Sequence, residues 1–244
     1  MNRWLLPAEM QARDLAGRWP ALALLFALPA TWYLAELASG RPWAIGAGAL
    51  AMGWTGGAAA LFAVLGARRA DPRLVQAGYR PVDLAIGRLA VLAGLALAVA
   101  AAFGVLIVAC SRPDRLRDLF LGLVLGALVA VMLGWALAVL VPHELEATLL
   151  LIGLAGIAPT APGSVGDYLP FYALLRFTDV TRPSPAALPL VLHALAYGIG
   201  LAAVALLVWH RRVRLVSDRR PRRGPAGGGR GRPGRGAPAR APRA

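Results

Sequence analysis

Long apolar runs separated by short polar breaks organise this chain. They cover residues 19–37, 43–66, 89–110, 119–141, 147–158 and 186–209. A helix needs about 20 predominantly apolar residues to cross a hydrocarbon core about 30 Å thick, and five of the runs reach that length. The pattern predicts an all-α membrane protein. Six transmembrane helices would occupy 19–209, with a broken fifth helix, an N-terminal interfacial helix over 1–18 and a disordered basic tail over 210–244.

The polar breaks fall into two sets, because successive crossings alternate sides. Segments 1–18, 67–88, 141–146 and 210–244 hold three, five, no and twelve arginines; segments 38–42, 111–118 and 159–185 hold one, three and two. The excess of positive charge predicts that the first set, with both termini, faces the cytoplasm. The location expected is the cytoplasmic membrane. The three arginines of 111–118 run against this bias, beside Asp114 and Asp118.

Before the first run, Trp4, Leu5, Ala8, Ala12, Leu15, Ala16 and Trp19 share an arc of about 120° at helical spacing, off which Glu9, Arg13, Asp14 and Arg18 lie. That pattern suits a helix lying in the headgroup region; a solvated helix is the alternative. The first run follows a polar, charged segment without a small-residue cleavage site, so it is expected to be retained in the membrane. Pro29 falls inside it and is expected to kink it. Glu36, near its outer end, is either a solvated carboxylate or part of a substrate path. Gly53…Gly57 and Gly122…Gly126 have the four-residue spacing of closely packed helices, read as packing within the chain rather than between subunits.

The 67–88 loop is longer than a simple return requires, about four to six residues. Asp71-Pro72 reads as a helix cap followed by proline, and Gly78 as a left-handed C-terminal cap. Arg80-Pro81 then starts the third crossing. A short helix at about 71–78 should therefore lie across the cytoplasmic mouth, carrying Arg73, Gln76, Tyr79 and Arg80. A basic anchor at the lipid surface is the alternative. At 143–146, His-Glu-Leu-Glu lacks the second histidine of a zinc motif; Glu144 and Glu146 belong in the first turn of the fifth helix, near its positive dipole end.

The fifth run is too short to cross alone. Pro159, Pro162, Gly163 and Gly166 follow it, then a second apolar piece at 168–177. The expectation is a helix that breaks, followed by a short re-entrant or surface helix. An amphipathic outer loop is the alternative. His193 and Tyr197 are four residues apart on the last run, as a packing pair or as the polar lining of a path. The tail, rich in Arg, Gly and Pro, cannot bury enough surface to fold, and its charge suits anionic lipid. Nucleic acid is not expected as its partner, because no aromatic residue interleaves the arginines.

Composition narrows the chemistry. The chain has 244 residues, net charge +14, and no lysine among its 26 basic residues. A phosphate-binding P-loop needs a lysine, so ATP-driven work by that route falls to another subunit. Cys110 is the single cysteine, which excludes an internal disulfide; a buried apolar role is expected for it.

The residues Asp71-Pro-Arg-Leu-Val-Gln-Ala-Gly78-Tyr79-Arg80-Pro81, followed by Asp83-Leu-Ala-Ile-Gly87-Arg88, resemble the corresponding loop of permease subunits of type-2 ATP-binding-cassette (ABC) transporters, mostly exporters. The N-terminal helix, the six runs, the Pro142–Glu146 turn and the broken segment after the fifth run are similar to that family as well, over about residues 1–212. The small outer segment, the alanine-rich runs and the arginines of 111–118 depart from it. The resemblance implies that Asp71, Arg73, Gln76, Gly78, Tyr79, Arg80 and Glu144 couple the membrane domain to a separate ABC ATPase subunit. Glu36, His193 and Tyr197 are the candidates for a translocation path. It implies no catalytic residue, metal or cofactor on this chain, ATP and Mg²⁺ on the partner, and a homodimer or heterodimer of permeases. Two other classes stand beside it: a non-catalytic membrane scaffold, which predicts no ATPase partner, and a membrane-embedded enzyme, which would need clustered carboxylates, His or Ser where this chain has scattered acids.

Overall fold

The computed structural model describes residues 5–68, 70–157, 159–160 and 164–218, and every regular element among them is a helix. The order is α1 (Leu5–Ala16), α2 (Trp19–Ala38), α3 (Ala44–Ala67), α4 (Asp71–Gln76), α5 (Pro81–Ser111), α6 (Leu116–Leu140), α7 (Glu144–Ile157), α8 (Ser164–Asp167), α9 (Tyr172–Thr178) and α10 (Ala187–Asp218). Five of them, α2, α3, α5, α6 and α10, are long and apolar enough to cross a membrane. The protein is thus a helical membrane protein, and these five follow the long apolar runs closely.

Two ends differ. α5 starts at Pro81, where the Arg80-Pro81 start was expected but eight residues ahead of its apolar run, because proline at the helix start costs no hydrogen bond and the first turns tolerate Asp83 and Arg88. α10 continues to Asp218, nine residues into the expected tail. Trp209, Val213 and Val216 carry the helical spacing past the apolar run, so the helix outlasts the hydropathy signal. The rest of the tail, 219–244, lies outside the described residues.

α3 and α6 form the centre. α3 is built from Gly, Ala and few large residues, and all of its first ten residues are buried. The closest approach is at Gly57 and Gly134, where a Cβ added to residue 134 would overlap the Gly57 carbonyl oxygen and lie 2.8 Å from its carbonyl carbon. Small residues at such a crossing let the backbones touch. The two helices run the same way, since Arg68, further along α3, meets Ala138 and Val141, further along α6. α2 and α5 close one side, where Tyr33 and Phe103 pack edge to face over Gly48 with centroids 5.7 Å apart. The Tyr33 hydroxyl and Ser111 Oγ are 2.5 Å apart. α2 remains one helix through the buried Pro29.

The expected glycine pairs pack within the chain. Gly53 receives Phe171, Gly122 receives Phe177 and Gly126 receives Leu174. α9 therefore sits in a groove on α3 and α6, with Ala173, Leu174, Phe177 and Thr178 buried. An amphipathic outer loop does not describe it. α10 packs over α9 and α6 through Leu190 and Ala194. Cys110, expected to be buried, lies on the exposed side of α5.

α1 lies along α5, but the face it buries is Pro7 and Gln11, not the apolar arc. Leu5, Ala12 and Ala16 stay exposed, whereas Leu15 of the same arc packs on the core. Trp4, part of that arc, lies outside the described residues.

Candidate functional site

At one end of the bundle the short helix α4 is held from three directions. Its C-terminus closes on Gly78, whose φ of 98° is one that L side chains rarely adopt. The amide of Tyr79 donates to Leu74 O at 3.1 Å and that of Gly78 to Val75 O at 3.0 Å, the paired bonds of a glycine C-cap that satisfy otherwise orphaned carbonyls. Leu74, Val75 and Tyr79 lean on the core from below. Gly78 thus takes the expected capping role, and Tyr79 is half-buried as part of that cap.

Asp71 does not cap the helix. It is the first residue of α4, makes no capping bond, and points inward to the Arg88 guanidinium of α5. Arg88 Nη1 donates to Asp71 Oδ2 at 2.8 Å and Nη2 lies 2.5 Å from Oδ1, with side chains only 13% and 5% exposed. The carboxylate prefers this partner because a buried charge without one is costly. Asp71 therefore fixes α4 in place and offers no surface of its own.

Arg68 supplies the third hold. Its guanidinium donates to the carbonyls of Val141 at 2.7 Å, of Pro142 at 3.0 Å, and of Ala138. These are the orphaned carbonyls at the C-terminus of α6, which a cation satisfies well. The α3–α4 junction and the α6–α7 turn are thereby joined. Asp71 follows Arg68 by at most about 11 Å of chain and Glu144 follows Pro142 by at most about 7 Å. Sequence reading missed Arg68; its signal was an arginine immediately after an apolar run, which many interfacial anchors share.

The outward face of this end bears Arg73, Gln76 and Arg80, all exposed, and the exposed acids Glu144 and Glu146 in the first turn of α7. Glu146 faces His143 at 3.4 Å. Arg73 and Arg80 have no ion-pair partner among the described residues. The structure thus divides the expected coupling set. Arg73, Gln76, Arg80 and Glu144 form surface, whereas Asp71, Gly78 and Tyr79 build the mount.

A second locus is the break after α7. α7 has 14 residues, about 21 Å of helix, and stops where Gly156 meets Trp54, midway along α3. α9 starts at the level of Gly53 and runs to the opposite end, where Thr178 lies beside Gly46. The interrupted backbone between them finds partners on α10. His193 Nε2 lies 3.1 Å from the Leu169 carbonyl, and the Tyr197 hydroxyl donates to the Tyr168 carbonyl. A carbonyl only accepts, so Nε2 carries the proton. The two rings also touch at a tilt of 47°, centroids 4.9 Å apart, and Tyr172 packs edge-on to His193. Irregular backbone at membrane depth persists only with such partners. Tyr197→Phe is expected to cost about 1 kcal/mol, the net worth of the lost hydrogen bond, and to raise cleavage of the 164–171 segment by protease in detergent. Unchanged melting and digestion would refute that role.

α9 also carries Arg176, half-buried, with Nη1 buried and without a hydrogen-bond partner among the described residues. The signal was a lone charge in the apolar 168–177 piece. Glu36 is not part of this locus. It pairs with Arg41 at 3.0 and 3.1 Å across the glycine cap that ends α2 at Gly40, φ 67°. At the same end Arg115 donates to Arg182 O at 2.7 Å, and Ser184 to Asp118. One of the three arginines of 111–118 thus ties two loops together.

Compared with protein-family models, curated proteins and solved structures, the chain matches none.

Proposed function

We propose that this chain is the permease subunit of an ABC exporter, working with a separate ATPase subunit that binds the α4 end. The observation that carries the reading is the construction of α4. A six-residue helix is fastened to α5 by a buried ion pair, reaches α6 through Arg68, and touches α10. Arg73 on it and Arg80 just after it have no ion-pair partner among the described residues. Force applied to such a helix passes to the bundle without bending a loop. An ATPase with an acidic groove complements Arg73 and Arg80.

The break supports the same reading. α7 and α9 together make a sixth, discontinuous crossing, and discontinuous helices line transport paths in several membrane folds. With six crossings both termini lie on the side of α4, which the arginine bias puts in the cytoplasm. In this scheme a second copy, or a homologous permease, completes the path, and Arg176, His193 and Tyr197 stand nearest to it.

Purification of the full chain from its own membranes in mild detergent is expected to bring a P-loop ATPase with it. Arg73→Glu with Arg80→Glu should lower that association at least tenfold while the melting temperature stays within a few degrees. The reading fails if no P-loop ATPase accompanies the chain, or if the double reversal leaves association unchanged.

A further inference from the structure

We infer that the cavity between α1, α2 and α3 is a binding site for one membrane phospholipid, which lays an acyl chain along it and bonds its polar head to Gln11. The cavity holds about 300 Å³, the small end of the range of about 300–1,000 Å³ for ligand pockets. That volume suits a single chain better than a whole lipid. Its wall is apolar over most of its length, with Leu22, Leu25 and Ala59 among the lining residues, and it includes Leu24, Leu28 and Phe62, which are all exposed. The cavity therefore opens on the apolar flank of the bundle, and what enters comes from the bilayer.

Polar groups available to a ligand sit along one edge only. Thr55 lines the cavity, but its hydroxyl proton is given to Met52 O at 3.0 Å. The others are Gln11, Asp14 and Arg18, all on α1 or just after it. Asp14 and Arg18 form an exposed pair at 3.2 Å, which exchanges readily for a phosphate because surface pairs are weak.

Gln11 decides the matter. It is only 9% exposed, lines the cavity, and its side-chain amide has no hydrogen-bond partner among the described residues. The amide is reached from the cavity and is left to bond whatever enters it. An apolar residue at this position would complete the wall more cheaply. An amide facing an apolar channel next to a charged edge matches an amphiphile. The amide N–H groups donate to an ester carbonyl or phosphate oxygen, Arg18 meets the phosphate, and the chain follows the leucines. This inference stands whether or not an ATPase binds the α4 end.

The test uses the full chain in bilayer nanodiscs of phosphatidylcholine and phosphatidylglycerol, containing a phospholipid with a photoreactive group in one acyl chain. Adducts are expected on the α1–α2–α3 wall, around Leu25 and Ala59. In native mass spectrometry one phospholipid should stay with each chain. Ala59→Phe, which fills the cavity, should lower retention at least tenfold, and Gln11→Leu at least threefold without lowering the melting temperature. Adducts spread evenly over the lipid-facing helices, or equal retention by wild type and Gln11→Leu, would overturn the proposal. So would a water-soluble molecule or a peptide retained in place of lipid. If Ala59→Phe fails to fold, the wild-type adduct map and Gln11→Leu decide it alone.

Discussion

Gly134→Ala should be the most damaging single-methyl change in this protein, lowering stability by about 3 kcal/mol or more. Overpacking a well-filled core costs about 1–3 kcal/mol when side chains can yield. Here the added carbon meets the Gly57 backbone, 2.8 Å from its carbonyl carbon, so the helices themselves must separate. That separation would also pull Arg68 away from the end of α6. Gly57→Ala should cost less, because its new carbon meets Leu151 Cδ1 at 3.0 Å and the Ala130 carbonyl at 3.2 Å, and the leucine can turn. Gly94→Ala supplies the contrast: nothing lies within 4 Å of its added carbon, and replacing a helical glycine should gain about 0.5–1 kcal/mol. Melting of the three variants in one detergent, followed by tryptophan fluorescence, reads the order directly. Equal melting of Gly134→Ala and Gly94→Ala would mean that the α3–α6 crossing is not as close as described.

The second large effect is expected at the ion pair beneath α4. Asp71→Ala leaves Arg88 charged and nearly buried, a loss of about 3–5 kcal/mol for pairs of this kind. The loss should be local first. Hydrogen exchange should show protection falling over residues 71–79 while α3 and α6 keep theirs. Replacing both partners, Asp71→Leu with Arg88→Met, should restore most of the stability, since well-packed apolar groups often equal a buried pair. A double variant as unstable as Asp71→Ala would show that the pair acts through something other than burial of an unmatched charge.

These two sites mark where sequence reading succeeded and stopped. Five apolar runs were legible because bilayer-spanning length is a property of consecutive residues. The cap at Gly78 was legible because a glycine C-cap is made within six residues, Leu74 to Tyr79. The break after residue 157 was announced by its prolines and glycines, and the apolar 168–177 piece by its composition. What Asp71 does was not legible. Asp before Pro reads as a cap, and only the fold brings Arg88, 17 residues later, within reach of it. The same holds for Gly134, which lacks a glycine four residues away and shows its purpose only against Gly57. His193 and Tyr197 were found as a pair, but the carbonyls they serve lie 24 and 29 residues earlier.

The Arg68 clamp also bears on how the chain is made. Arg68 and Pro142 are 74 residues apart, and ribosomes add about 5–20 residues per second. For about 4–15 s after α3 is synthesised, its glycine-lined face has no α6 to cover it. α3 is the least hydropathic of the five long helices, at 1.5 against 2.6 for α6. It is therefore the helix least able to hold its place in lipid alone while it waits for α6. Nascent chains stalled before residue 116 should leave α3 loosely inserted and open to labelling from water. Release past residue 142 should seat it.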